Sequence, residues 1–193
     1  MFNQQRRWWM GRVLAPVVLA GVVMWSADHL GCGQAAETAE KAPRPLSPAA
    51  AKLVGAWRLV SIEERDAEGK LVTPLDYGPE PIGLLIYDAS GRMAAQAMRR
   101  SRAKLPGDDV HRAPPEQAKA AFVGYNAYFG TFEVDESKGL VIHRVEGSMI
   151  PNWEGSEQRR QFTLAGDKLI LEPPAFEAQG QKRSRKLTWE RVR

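Results

Sequence analysis

The sequence predicts an all-β fold, a barrel or a sandwich of short antiparallel strands with one short helix. Three observations carry that expectation. From Leu53 onward the chain is mostly short runs in which apolar and polar residues alternate, the period of a strand with one buried face. Clusters such as "AEGK", "LDYGPEPIG" and "ASG" separate the runs and supply turn chemistry. One stretch alone breaks the pattern: "APPEQAKAAFVGY" sets Pro114 and Pro115 at a helix start and Gly124 at its stop, which predicts a helix near residues 115–123.

Taken in order, the chain opens with "MFNQQRRWWMGR", holding Arg6, Arg7 and Arg12 and no acid, followed by an apolar run from Val13 to Trp25. A basic start before an apolar run of about 7–15 residues is the pattern of a secretory signal. The run falls short of the ~20 apolar residues that span a bilayer. "GQAA" at residues 33–36 offers small residues for cleavage after Ala35, so residues 1–35 read as a signal peptide. The Arg6–Arg7 pair also resembles a twin-arginine export signal. Cys32, the sole cysteine, lies in "HLGC", which resembles a lipidation box with His29 in place of its aliphatic residue. With the signal removed or Cys32 lipidated, the mature domain has no disulfide and must rest on its core. The Ala/Pro/Glu-rich residues 36–52 read as a flexible tether, and residues 53–193 as the folded domain. The expected location is exported, periplasmic or secreted, with membrane contact only through the signal or a lipid at Cys32.

Within the domain, "AWRLVSIEERD" reads as the first long strand and "KLVTP" as a short second. "LLIYD" and "RMAAQAMR" flank the "ASG" hairpin turn. After the helix come "NAYFGTFEV", "GLVIHRVEG", "EQRRQFTLAG", "DKLILEP" and "SRKLTWERV". The basic tail "QKRSRKLTWERVR" reads as the outer face of a strand and its loop. Of the net charge of +4, the first 35 residues carry +2 through three Arg and one Asp. The remainder is an ordinary solvated surface and argues against nucleic-acid partners. No internal repeat, Gly-rich phosphate loop or metal-ligand cluster is evident, and no cofactor is expected.

"GAW", Gly55 to Trp57, opens the first strand as the Gly-x-Trp motif does in lipocalins, and "TWERV" resembles the last strand whose arginine packs on that tryptophan. More broadly, "LVGAWRLVS", "GLLIYDASGRM", "GYNAYFGTFEV" and "PNWEGSEQRRQF" resemble the motifs of the bacterial and fungal lipocalin-like domain family, over nearly all of residues 53–191. The resemblance implies a closed antiparallel β-barrel with ligands in the mouth or interior. It implies no particular chemistry, because most of that family has no assigned activity.

Alternation then assigns side chains to faces. In "LVIHRVE", His143 shares a face with Val141 and Val145, while Arg144 and Glu146 share the other, so His143 is expected inside. In "EQRRQFTLAG", Gln158 and Arg160 share a face with Phe162 and Leu164, which places Arg160 inside and Arg159 in solvent. An interior arginine must be paired, solvated or ligated. It is either a structural strut against Trp57, Trp153 or a carboxylate, or the group that meets a ligand oxygen. Trp153, in the loop entering that strand, is either a lid or a plug. Tyr128 and Phe132 are expected inside because Glu133 should face water. Tyr87 shares a face with Leu85, and Met98 with Ala94 and Gln96.

The candidate ligand-binding set is therefore Trp57, Tyr87, Met98, Tyr128, His143, Trp153, Gln158 and Arg160, and the expected ligand is small, apolar or amphipathic, with an acidic group among the options. Two alternatives stand beside this binding role. One is a cofactor-independent isomerase or cyclase using His143, Arg160 and Tyr128, and the other is a solid-packed envelope module. No catalytic residue is named, since one histidine without a metal-ligand or nucleophile partner defines neither site.

Overall fold

The computed structural model describes residues 45–193. The signal segment expected over residues 1–35, and the first part of the tether, lie outside the described residues.

The chain enters the domain through helix α1 (Pro48–Leu53), so the stretch read as tether up to residue 52 is ordered from Pro48 onward. The Ser47 side chain accepts a hydrogen bond from the Ala50 amide, Pro48 occupies the first helical position, and Ala50 and Leu53 are buried. A capped turn with two apolar anchors docks on the barrel where composition alone suggested a flexible segment.

Ten strands follow: β1 (Gly55–Arg65), β2 (Leu71–Val72), β3 (Pro81–Tyr87), β4 (Arg92–Arg99), β5 (Tyr125–Asp135), β6 (Leu140–Ser148), β7 (Glu157–Ala165), β8 (Lys168–Glu172), β9 (Phe176–Ala178) and β10 (Gln181–Arg191). Helix α2 (Pro115–Val123) precedes β5, and 3-10 turns occupy Val110–Arg112 and Pro151–Trp153. The single helix expected over residues 115–123 is thus joined by α1 and by two short turns.

Each barrel strand pairs antiparallel with its neighbour in the order β1-β3-β4-β5-β6-β7-β8-β10, and β10 returns to pair with β1. The result is a closed eight-stranded barrel, which removes the unpaired edges of an open sheet. The short β2 and β9 extend β1 and β10 at one end. The β3–β4 hairpin turns through Asp88–Gly91, where the Asp88 carboxylate accepts from the Ser90 amide at 2.8 Å. Gly91 there takes φ +87°, a left-handed conformation that favours glycine.

Two irregularities re-aim the walls. A bulge between Leu59 and Ser61 shifts the β1 register against β10, so Trp57 and Leu59 face in, and after the shift Ile62 and Glu64 do. A second lies between Phe129 and Gly130 where β5 meets β6. A Cβ at Gly130 would stand 1.9 Å from the Arg144 carbonyl oxygen, so only glycine allows that approach.

One end of the barrel is closed by Trp57. Its ring is fully buried, and its indole N–H donates to the Leu53 carbonyl at 2.8 Å. The Arg191 guanidinium lies 4.1 Å above the ring and donates to the Val54 and Lys52 carbonyls. Tyr87, Phe132, Val141 and Leu169 pack in the lower interior. On the outer wall Arg144 bridges Glu133 and Glu157 from the flanking strands.

Candidate functional site

A cavity of about 610 Å3 opens at the end opposite Trp57. Its rim comes from α2 (Phe122, Val123), the β6–β7 loop (Ile150, Trp153) and the segment between β8 and β10 that contains Phe176. Its floor and walls come from inward positions of β3 to β8 and β10. Ala95 and Ala97 face it from β4, and their small side chains leave the space that larger residues would fill.

Tyr128, His143, Trp153, Gln158 and Arg160 of the expected set all line this cavity. The pairing explains how they meet. In the antiparallel β6–β7 ladder Val141 lies opposite Arg160 and His143 opposite Gln158, and in the β5–β6 ladder Phe132 lies opposite His143. The loop through Pro151–Trp153 folds Trp153 back over the mouth, its ring edge-on to Tyr128 at 5.7 Å between centroids. Trp153 therefore belongs to the rim and does not seal the closed end.

Three expected residues lie elsewhere. Trp57 is at the closed end, outside the cavity wall. Tyr87 is fully buried beneath the cavity and reaches it only through His143. Met98 faces outward, because Met93, Ala95 and Ala97 form the inward row of β4. Its sulfur accepts a weak hydrogen bond from Arg102 at 3.6 Å.

His143 is fully buried between two phenols. The Tyr87 hydroxyl stands 2.7 Å from Nε2 and the Tyr128 hydroxyl 2.9 Å from Nδ1. Burial, and after it the Arg160 charge, pushes the imidazole well below its ordinary range, so it is neutral. Burial raises both phenols, with Arg160 opposing the rise in each, so both keep their protons.

Arg160 is 9% exposed. It donates to the Gln158 carbonyl at 3.0 Å and lies 5.6 Å from the Tyr128 ring centroid. Among the described residues no carboxylate pairs with it. A basic pair on β10 behaves differently. Arg183 and Arg185 both bond the fully buried Glu64 at 2.8 Å, and Arg185 is stacked between Tyr77 at 4.9 Å and Phe176 at 4.5 Å. The basic tail read as an outer face is thereby corrected. Arg183 and Arg185 share the parity of Leu187 and Trp189 and turn inward, where Glu64 neutralises them. Tyr77, Asn126 and Arg185 also line the cavity and were missed. For Arg185 the signal was its alternation with Trp189. For Tyr77, in a loop, there was none.

Comparison with known proteins bears on the family. The sequence pattern of a lipocalin-like domain matches residues 54–192. The chain belongs to the lipocalin-like domain family. Over 85 residues this lipocalin-like chain is 36% identical to a 4'-hydroxy-3'-methoxypropiophenone carrier protein of Aspergillus oryzae (strain ATCC 42149 / RIB 40), a match covering 41% of this chain and 77% of that protein. Among solved structures, a complex of bovine odorant binding protein with a selenium-containing odorant aligns over 75% of this chain and 73% of that one, at 14% identity and a TM-score of 0.39. The lipocalin-like fold and the carrier relative together support ligand binding in general.

Proposed function

We propose that this lipocalin-like barrel is an exported carrier for a small, largely apolar ligand bearing a carbonyl or carboxylate oxygen. The observation that carries the reading is Arg160: a nearly buried guanidinium, facing a cavity, with no carboxylate partner among the described residues. Such a charge is costly unless something ligates it, and a ligand oxygen does so. The cavity volume lies within the range of about 300–1,000 Å3 typical of small-molecule sites. Trp153, Tyr128, Phe122 and Ile150 supply apolar area for the ligand's body. The carrier relative's named ligand, an aryl ketone, combines an aromatic body with one carbonyl, which is the chemistry this cavity offers. The export part rests on the basic start and apolar run before Trp25, and N-terminal sequencing of the secreted protein checks it. A mature chain that retains Met1 would refute it.

The alternatives find less support. A cavity of about 610 Å3 argues against a solid-packed module. For the enzyme reading, both His143 nitrogens already bond tyrosines, which leaves no free base on that ring.

The test has two stages. Native mass spectrometry of the purified protein identifies what it retains, and Arg160→Met is then titrated with that ligand. A hydrogen bond to a charged group contributes about 1.5–3 kcal/mol, so the variant should bind about tenfold to a hundredfold more weakly while keeping its fold. Unchanged affinity, or a variant that unfolds, makes Arg160 a structural strut.

A further inference from the structure

The three-residue chain Tyr87, His143 and Tyr128 has two ways to arrange its hydrogens, and its surroundings distinguish them. A neutral imidazole offers one N–H donor and one acceptor nitrogen. In one arrangement Tyr128 donates to Nδ1 and Nε2–H donates to Tyr87. The Tyr87 hydroxyl hydrogen is then left over. Tyr87 is 1% exposed, lies outside the cavity wall, and has His143 as the one hydrogen-bond partner of its hydroxyl. That hydrogen would be buried without an acceptor, which folded proteins avoid. In the other arrangement Tyr87 donates to Nε2 and Nδ1–H donates to the Tyr128 oxygen. The leftover hydrogen then belongs to Tyr128, whose side chain lines the cavity and can donate to an occupant.

We infer that the buried Tyr87 sets the direction of this chain, so that Tyr128 presents its hydroxyl hydrogen to the ligand beside Arg160, and that the cavity therefore selects a carbonyl-class acceptor oxygen. The inference rests on the carrier reading above and adds the residue that gives the site its polarity. Arg160 and Tyr128 are adjacent donors: the guanidinium lies 5.6 Å from the phenol ring, and both face the same cavity. No acceptor side chain competes at that point. The His143 lone pair is used by Tyr87, and the imidazole stays neutral because burial and the Arg160 charge both disfavour its protonation. Tyr87 is a positioning residue, acting on a ligand it does not touch. An ammonium or other donor-only group would meet two donors at this point, whereas the acceptors of the cavity, the unpartnered Asn126 Oδ1 and the Asp76 and Glu177 carboxylates, belong to other residues of its lining.

Two measurements test this on the full chain. The first needs no ligand. Nitrogen NMR of the imidazoles, with Tyr87→Phe and His143→Gln for assignment, reports which His143 nitrogen carries the proton. Protonation at Nδ1 is expected, and protonation at Nε2 overturns the inference. The second compares 4'-hydroxy-3'-methoxypropiophenone with its carbonyl-free counterpart, 2-methoxy-4-propylphenol, by calorimetry. The wild type should bind the ketone at least tenfold more tightly. In Tyr87→Phe, His143 loses its donor at Nε2 and takes the Tyr128 hydrogen at Nδ1, so the preference should fall about threefold to tenfold, the Arg160 share remaining, while 2-methoxy-4-propylphenol binds as before. Tyr128→Phe should lower the ketone preference by a similar factor. A ketone preference unchanged in Tyr87→Phe overturns the inference. If neither probe binds the wild type, the carrier reading fails for this ligand class, and the imidazole spectrum decides the direction of the chain by itself.

Discussion

Acidification should destabilise this barrel above the range in which its carboxylates titrate, and His143 is the reason. In the folded protein its imidazole is held neutral, first by burial and second by Arg160. In the unfolded chain it returns to an ordinary value of about 6.5. Below that value the unfolded state binds a proton that the folded state does not, so stability falls as pH falls. A folded state that binds no proton there loses at most about 1.3 kcal/mol at pH 5.5 and about 1.9 kcal/mol at pH 5.0, relative to pH 7. The depressed carboxyls act lower. Asp88, Asp135, Glu157 and Asp167 are held down chiefly by hydrogen bonds from Ser90, Ser137, Arg159 and Arg193 respectively. Their contribution is present above the ordinary carboxyl range and is lost as pH falls through their lowered values, beneath this window. The assay is urea unfolding of wild type and His143→Gln at intervals from pH 7.5 to 5.0. The variant starts from a lower stability, having lost part of its tyrosine bonding, but its slope should lack the His143 proton. All other titrating groups are common to both proteins, so the difference between the slopes isolates it. Parallel curves would show that His143 protonates freely in the native state and that the site admits charge.

Two further outcomes concern the scaffold. Trp57→Ala removes a fully buried indole together with its bond to Leu53 and the surface on which Arg191 stacks; it should cost about 3–5 kcal/mol, and an unchanged denaturation midpoint would make the Gly-x-Trp resemblance incidental. Glu64→Gln leaves Arg183 and Arg185 without their buried countercharge and should cost about 3–5 kcal/mol, measured in the same urea titration; a loss under 1 kcal/mol would mean that water already solvates the two arginines.

Most of the barrel was legible because alternation is strict where a wall has one wet face. His143 between Val141 and Val145, and Arg160 in phase with Phe162 and Leu164, needed nothing beyond parity and a short β6–β7 connection. Parity fails where the wall is irregular or both faces look alike. The bulge after Leu59 turns Glu64 inward, and a strict count from Trp57 would have sent it out. In β4 the rows Met93–Ala95–Ala97 and Ala94–Gln96–Met98 differ little in hydrophobicity, so the small inward residues that open the cavity were indistinguishable from an outer wall. Strand β9 is too short for a period to register. Helix α1 was hidden in an Ala/Pro-rich stretch whose order depends on tertiary anchors, Ala50 and Leu53, that composition does not reveal. Tyr87 was named for its parity, yet its place beneath His143 depends on register across β3 to β6, which no single strand encodes.

The two groups of interior arginines show what separates scaffold from site in this fold. Arg183 and Arg185 enter the barrel from β10, and the protein supplies their countercharge: the Glu64 carboxylate, with Asp76 3.6 Å from Arg185, and the faces of Tyr77 and Phe176 for Arg185. Their charge is neutralised within the protein, and among their buried nitrogens Arg183 Nε alone lacks a hydrogen-bond partner. Arg160 enters from β7 with one backbone carbonyl and the side of an aromatic ring. The difference does not come from a shortage of acids, because Glu157 is three residues away on the same strand. Strand parity sends Glu157 outward to Arg144 and Arg159, so its charge is engaged on the opposite face of the wall. A carboxylate at Gln158, opposite His143 in the ladder, would have placed an acid on the cavity side. The sequence instead has a neutral amide there, which donates to the Ser156 hydroxyl at 3.1 Å. The cavity thus keeps an uncompensated cation beside a phenol whose hydrogen is free, and an acceptor oxygen on the occupant completes both.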